Sequence, residues 1–87
     1  MNHNKIIIDV REPGEYESGH VEDAINIPID YLVSGDVDWQ GFDKSAEIIV
    51  YCESGARAAM AIDVLKTAGF TDLTNGINAE SVIENLL

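Results

Sequence analysis

The run Glu47-Ile48-Ile49-Val50-Tyr51 does not alternate between polar and apolar residues. A strand with one wet face alternates. A short, unbroken apolar run instead fits a strand buried on both sides, as in a parallel sheet covered by helices. The segment Lys5-Ile6-Ile7-Ile8-Asp9-Val10 has the same character. Two such strands constrain the fold strongly. Parallel neighbours need long crossover connections, and helices must cover both of their faces.

The rest of the chain supplies those helices. Pro13 suits the first turn of a short helix through Glu15-Tyr16-Glu17-Ser18, and Gly19 stops it. Ala24-Ile25-Asn26-Ile27 reads as a short strand closed by Pro28, and Ile29 to Val33 as a helical turn. Residues 34–46 are acidic, Gly-punctuated and irregular, with Trp39 and Phe42 as apolar anchors of the loop. A helix is predicted from Ala56 to Ala68, with Ala58, Ala61, Ile62, Leu65 and Ala68 on its core face. Gly69 fits the position after the helix, with Phe70 folding back on the last turn. Thr71 to Asn75 reads as a further strand broken by Gly76, and Asn78 as the cap of a final helix over 80–87. The alternation predicts one α/β domain over residues 1–87. It has three layers and a mainly parallel sheet of about four strands flanked by helices.

Charge narrows the function. Lys and Arg total 5 against 16 Asp and Glu, a formal net charge of −11. Such a surface repels nucleic acid and anionic membrane, and neither is expected as a partner. No apolar stretch approaches a membrane span. Residues Met1 to Lys5 lack the apolar core of a signal peptide. The single cysteine has no partner within the chain and fits a reducing compartment. A cytoplasmic monomer is therefore expected, with a removed export signal left open. One Cys and 2 His do not make a tetrahedral metal set, so no metal is expected. No phosphate loop of P-loop type and no dinucleotide fingerprint is present.

That cysteine ends the second apolar run. Cys52 opens the segment Glu53-Ser54-Gly55-Ala56-Arg57, and the Ala-rich helix starts at once. A strand that stops at a thiol, turns briefly and enters a helix aims backbone N–H groups and the positive helix end at one sulfur. Both favour thiolate, the form that attacks. Cys52 is therefore the candidate nucleophile, and the N–H groups of residues 53 to 57 are its candidate cup. Gly55 permits the left-handed turn that a tight cup needs. Ser54 offers a hydroxyl, and the Arg57 guanidinium is expected to curl over the sulfur. Glu53 opposes the anion and is expected to face solvent. Asp9 and Arg11 lie at the end of the other apolar strand, where open α/β sheets bind ligands. They are read as supporting residues, with Arg11 pairing locally to Glu15. His20 is read as structural, and His3 lies in the N-terminal tail.

These segments resemble the rhodanese (sulfurtransferase) family. One part of the match is Ile8-Asp9-Val10-Arg11 with Glu15-Tyr16, Gly19-His20-Val21, Ala24 and Asn26-Ile27-Pro28. The other is Val50-Tyr51-Cys52-Glu53-Ser54-Gly55-Ala56-Arg57-Ala58 with Ala68-Gly69-Phe70 behind it. The compact form resembles small single-domain members, including phage-shock-type thiosulfate sulfurtransferases. Four parallel strands are expected where many members have five, and Asn75-Gly76-Ile77-Asn78 stands where two glycines are frequent. The resemblance implies that Cys52 takes the outer sulfur of thiosulfate or a persulfide and passes it to cyanide or a thiol, without a cofactor. Glu53, Ser54, Gly55, Ala56 and Arg57 would bind the substrate. Phosphatases of related architecture space Cys and Arg one residue further apart, which makes a larger cup. The alternative function is a sulfur carrier or protein-interaction module without turnover.

Overall fold

The computed structural model describes residues 5–87. The expectations for the first residues, His3 among them, lie outside that range. The elements are β1 (Lys5–Asp9), α1 (Pro13–Glu17), β2 (Ile25–Asn26), α2 (Ile29–Ser34), β3 (Glu47–Tyr51), α3 (Ala56–Thr67), β4 (Asp72–Ile77) and α4 (Ala79–Asn85). The four strands form one sheet in the order β2-β1-β3-β4, and every pairing is parallel. The two apolar runs are the central strands. Ile7 lies opposite Ile49 and Asp9 opposite Tyr51, so β1 and β3 end level with each other.

Burial on both faces explains why the runs are unbroken. Ile8, Val10, Ile48, Val50 and Cys52 point to one side, into a core closed by α2, α3 and Phe70. Ile7, Ile49 and Tyr51 point to the other side, against Val21, Ala24 and Val82 of α4. Each fully buried aliphatic side chain contributes about 2 kcal/mol, so a polar substitution on either face is costly. From α3, Ala58, Ala61 and Leu65 are buried, while Ile62 and Ala68 are partly buried at the edge of the same cluster.

Helix ends follow local chemistry. The Glu12 N–H donates to Glu15 Oε1 at 3.0 Å, one arm of a capping box that starts α1 beside Pro13. After α3, Gly69 takes φ +105°. Its N–H donates to the Lys66 carbonyl at 3.0 Å, and the Phe70 N–H donates to the Leu65 carbonyl at 3.1 Å. This is a Schellman ending, and it turns Phe70 into the core. Trp39 meets both Phe70 and Phe42 edge-on, with centroids 5.2 and 5.1 Å apart, so the irregular loop is anchored as its aromatics suggest. Asn78 Oδ1 accepts from the Ser81 N–H at 2.8 Å and caps α4.

The expected break at Gly76 does not occur. β4 continues through it to Ile77, with a register shift opposite Val50 and Tyr51. A β-carbon at position 76 would collide with Val82 and press on Ile49. The glycine thus provides room for α4 against the sheet, and the left-handed residue is Ile77, at φ +72°. β2 is shorter than expected. The Asn26 side-chain amide donates to the carbonyls of Asp9 and Arg11, both at 3.0 Å, and continues the contact with β1 beyond the strand's last residue.

Candidate active site

The carboxyl ends of β1 and β3 lie side by side and carry the candidate residues. The Cys52 N–H donates to the Ile77 carbonyl at 3.1 Å, which fixes the residue to the end of β4. The chain then turns at Gly55, whose φ of +95° is left-handed. The Gly55 N–H points back and donates to Cys52 Sγ at 3.0 Å. Gly55 is also the N-cap of α3, and no side chain caps that helix. The sulfur takes the place that a capping oxygen would occupy.

Two effects compete at this thiol. Burial pushes its pKa up. The backbone N–H groups of Ala58, Gly55, Ser54 and Arg57 push it down and prevail, so the thiol ionises below its ordinary value. Ser54, Gly55 and Arg57 of the expected set act on the sulfur, and so does Ala58 in the first turn of α3, one residue beyond it. Glu53 is exposed, as expected of its side chain. Cys52 is only 1% exposed, with the exposed residues Glu53, Ser54 and Ala56 beside it in the loop.

Arg57 is near the sulfur but bound elsewhere. Its guanidinium donates to both Glu15 oxygens, at 2.8 and 3.1 Å. The expected Arg11–Glu15 pair is not formed. Asp9 is fully buried, and a carboxylate there requires a cation. Arg11 provides it through Nη2 to Oδ2 at 2.7 Å and Nε to Oδ1 at 3.0 Å, and the Arg11 backbone N–H donates to Oδ1 at 2.9 Å. Arg11 Nη2 also donates to the Gly19 carbonyl at 2.7 Å. Glu15 is left to Arg57. The hydrogen bond from that guanidinium, chiefly, and one from the Glu12 N–H lower the Glu15 pKa to about 2. The Arg57 pKa is raised, mainly by the same pair.

Tyr51 completes the strand-end cluster. Its hydroxyl accepts from the Val21 N–H at 3.0 Å, and the Arg11 guanidinium lies 5.5 Å from its ring centroid. Burial is the main reason its pKa is pushed up to about 12. His20 stacks on Tyr16 with centroids 3.6 Å apart, and its Nδ1 lies 2.7 Å from the Tyr16 carbonyl. Its contacts are structural, as its sequence context suggests.

Sequence reasoning missed one contributor and mispaired another. Asn75 Nδ2 donates to the Gly55 carbonyl at 3.0 Å, and Asn75 Oδ1 accepts from the Ile77 N–H at 2.9 Å, which ties the cup to β4. Glu15 was assigned to the wrong arginine. No sequence signal reports the Asn75 contact; for Glu15 the clue was Asp9, a closer and more deeply buried claimant on Arg11. Among the described residues no cluster of three His, Cys, Asp or Glu side chains could hold a metal ion, and no helix is long and apolar enough to cross a membrane. A cavity of about 540 Å³ lies elsewhere, between α2, Trp39 and the second half of α3, and does not border Cys52.

Known proteins share this arrangement. Residues 1–79 match the family model described as Rhodanese-like domain. A senescence-associated protein of Raphanus sativus is 46% identical over 77 residues, covering 78% of this chain and 42% of that protein. The thiosulfate sulfurtransferase PspE of Escherichia coli is 37% identical over 68 residues, covering 78% of this chain and 64% of that one. A putative sulfur carrier protein of Bacillus subtilis, YrkF, is 35% identical over 71 residues, covering 79% and 36%. The chain thus spans less than two thirds of the length of each of these relatives. The solved structure described as rhodanese with anions from E. coli superposes with a TM-score of 0.73 at 31% identity, covering 88% of this chain and 89% of that one. With its four-stranded parallel sheet, its cysteine at the end of β3 and the loop that follows, this chain belongs to the rhodanese-like domain family.

Proposed function

We propose that the protein is a sulfurtransferase that moves a sulfane sulfur through a persulfide on Cys52. The observation that carries this reading is the Cys52 sulfur itself, which accepts backbone N–H groups at the start of α3 and ionises below its ordinary pKa. The thiolate attacks the outer sulfur of a donor. With thiosulfate, the S–S bond of the donor breaks and sulfite leaves with its electron pair. Cys52 then carries a terminal sulfur anion, which the same amides stabilise. An acceptor such as cyanide attacks that sulfur, leaves as thiocyanate and returns the thiolate. The sequence is double-displacement covalent catalysis, and each step uses only groups of the chain and its substrates. The expected setting is a monomer in a reducing compartment.

Cys52→Ser is the test. It should abolish thiocyanate formation and the mass increase of one sulfur atom on the donor-treated protein. The serine oxygen can still accept the helix amides, so the fold should survive. Full activity in that variant would end the proposal. The existence of a sulfur-carrier relative keeps the alternative in view. Stoichiometric loading of Cys52 with negligible cyanide turnover would identify a carrier.

A further inference from the structure

The mouth above Cys52 is poorly suited to a multiply charged anion. The chain has 5 side-chain cations. Lys5 donates to the Leu86 carbonyl at the opposite end of the sheet. Lys44 donates to the Ala68 carbonyl and lies over Phe70, and Lys66 sits in the last turn of α3. Arg11 neutralises buried Asp9. Only Arg57 remains beside the sulfur, and Glu15 holds it in a two-pronged pair. Both partners are about one-third exposed, so the pair sits at the surface where a donor arrives. Glu53 adds a further negative charge within reach of the same guanidinium.

Taking Cys52 as the sulfur-accepting thiolate, we propose that Glu15 sets donor specificity. It cancels the positive charge of Arg57 and thereby selects sulfane donors of low charge, thiosulfonates and persulfides of uncharged thiols, over dianions such as thiosulfate. A dianion gains full use of Arg57 only by breaking a charge-assisted bidentate pair, and it must do so against the repulsion of Glu15 and Glu53. A low-charge donor needs no such exchange. Its attack is the same: the thiolate bonds to the outer sulfur, the S–S bond breaks, and with methanethiosulfonate the leaving group is methanesulfinate.

The experiment compares thiosulfate with methanethiosulfonate, each rate normalised to the same donor's reaction with a small free thiol. Sulfur loading of Cys52 is read by mass and turnover by thiocyanate. The native protein should favour methanethiosulfonate in kcat/KM by roughly tenfold, the scale of one partly screened charge contact. Glu15→Gln should raise kcat/KM roughly tenfold for the dianion and about threefold for the monoanion. Glu15→Asp, which keeps the charge, should retain the native ratio. A preference for thiosulfate, or a ratio unmoved by Glu15→Gln, overturns the proposal and leaves sulfur transfer intact. If neither donor loads the native protein, sulfur transfer falls and this inference falls with it. Should Glu15→Gln fold poorly, added salt on the native protein decides: the thiosulfate rate should rise with ionic strength, and a fall would overturn the proposal.

Discussion

The two central strands end side by side and do opposite things with a polar group. At the end of β1, Asp9 is buried and tied to the backbone and side chain of its own near neighbour, Arg11. At the end of β3, Cys52 is equally buried but is met by backbone amides of a helix that has no other cap. A carboxylate with three side-chain hydrogen bonds from one fixed cation is a closed unit. A sulfur surrounded by amides of the chain can still form a covalent bond without losing those donors. Burial alone therefore does not separate a structural group from a reactive one. What separates them is whether the partners block the reacting atom.

This contrast can be broken by substitution. Asp9→Asn should cost about 3–5 kcal/mol, because it leaves the Arg11 charge, only 13% exposed, without its counter-ion. Urea unfolding would measure this, and a loss below about 1 kcal/mol would mean that the pair behaves as a surface bridge. Cys52→Ser should show the inverse pattern, with chemistry abolished and stability changed by about 1 kcal/mol or less. Gly55→Ala comes next. Its β-carbon would meet Asn75 and Ile77 only at ordinary contact distance, so the cost is the left-handed backbone, about 1 kcal/mol. The useful readout is the pH midpoint of thiol alkylation. It should lie below the ordinary cysteine value in the native protein and move up when the Gly55 amide shifts.

Tyr51→Phe should cost about 1 kcal/mol and leave the chemistry at Cys52 intact, because it only leaves the Val21 N–H without its acceptor. It also has a pH signature. The folded-state pKa of Tyr51 is raised from 10.0 to about 12. Its contribution is therefore complete below pH 10 and is lost as pH rises through about 12. The native protein should lose stability across that window more steeply than Tyr51→Phe. Parallel curves would remove Tyr51 from the cluster.

The sequence reads clearly where the determinants are close together. The central strands are visible because burial on both faces removes polar alternation within a few residues. The cup is visible because Cys52, Gly55 and the first turn of α3 are contiguous. Pairings between distant segments are harder. Arg57 and Glu15 are 42 residues apart, and their bond depends on Asp9 having already claimed Arg11. Spacing alone favours Arg11 with Glu15, which is only four residues away. Gly76 was misread for a related reason. A glycine signals either backbone freedom or lack of space, and only the position of Val82 decides which applies.

The pairing of β1 with β3 joins residues such as Ile7 and Ile49 across a long intervening loop. Closing that loop costs entropy before any contact repays it, so this pairing forms late relative to the local helices. A chain emerging from the ribosome has β1, β2, β3 and its thiol before it has β4 and Asn75 to hold the cup in place. Nucleophilic reactivity should therefore switch on with the completed fold, and a partly folded chain would expose an ordinary, sluggish cysteine.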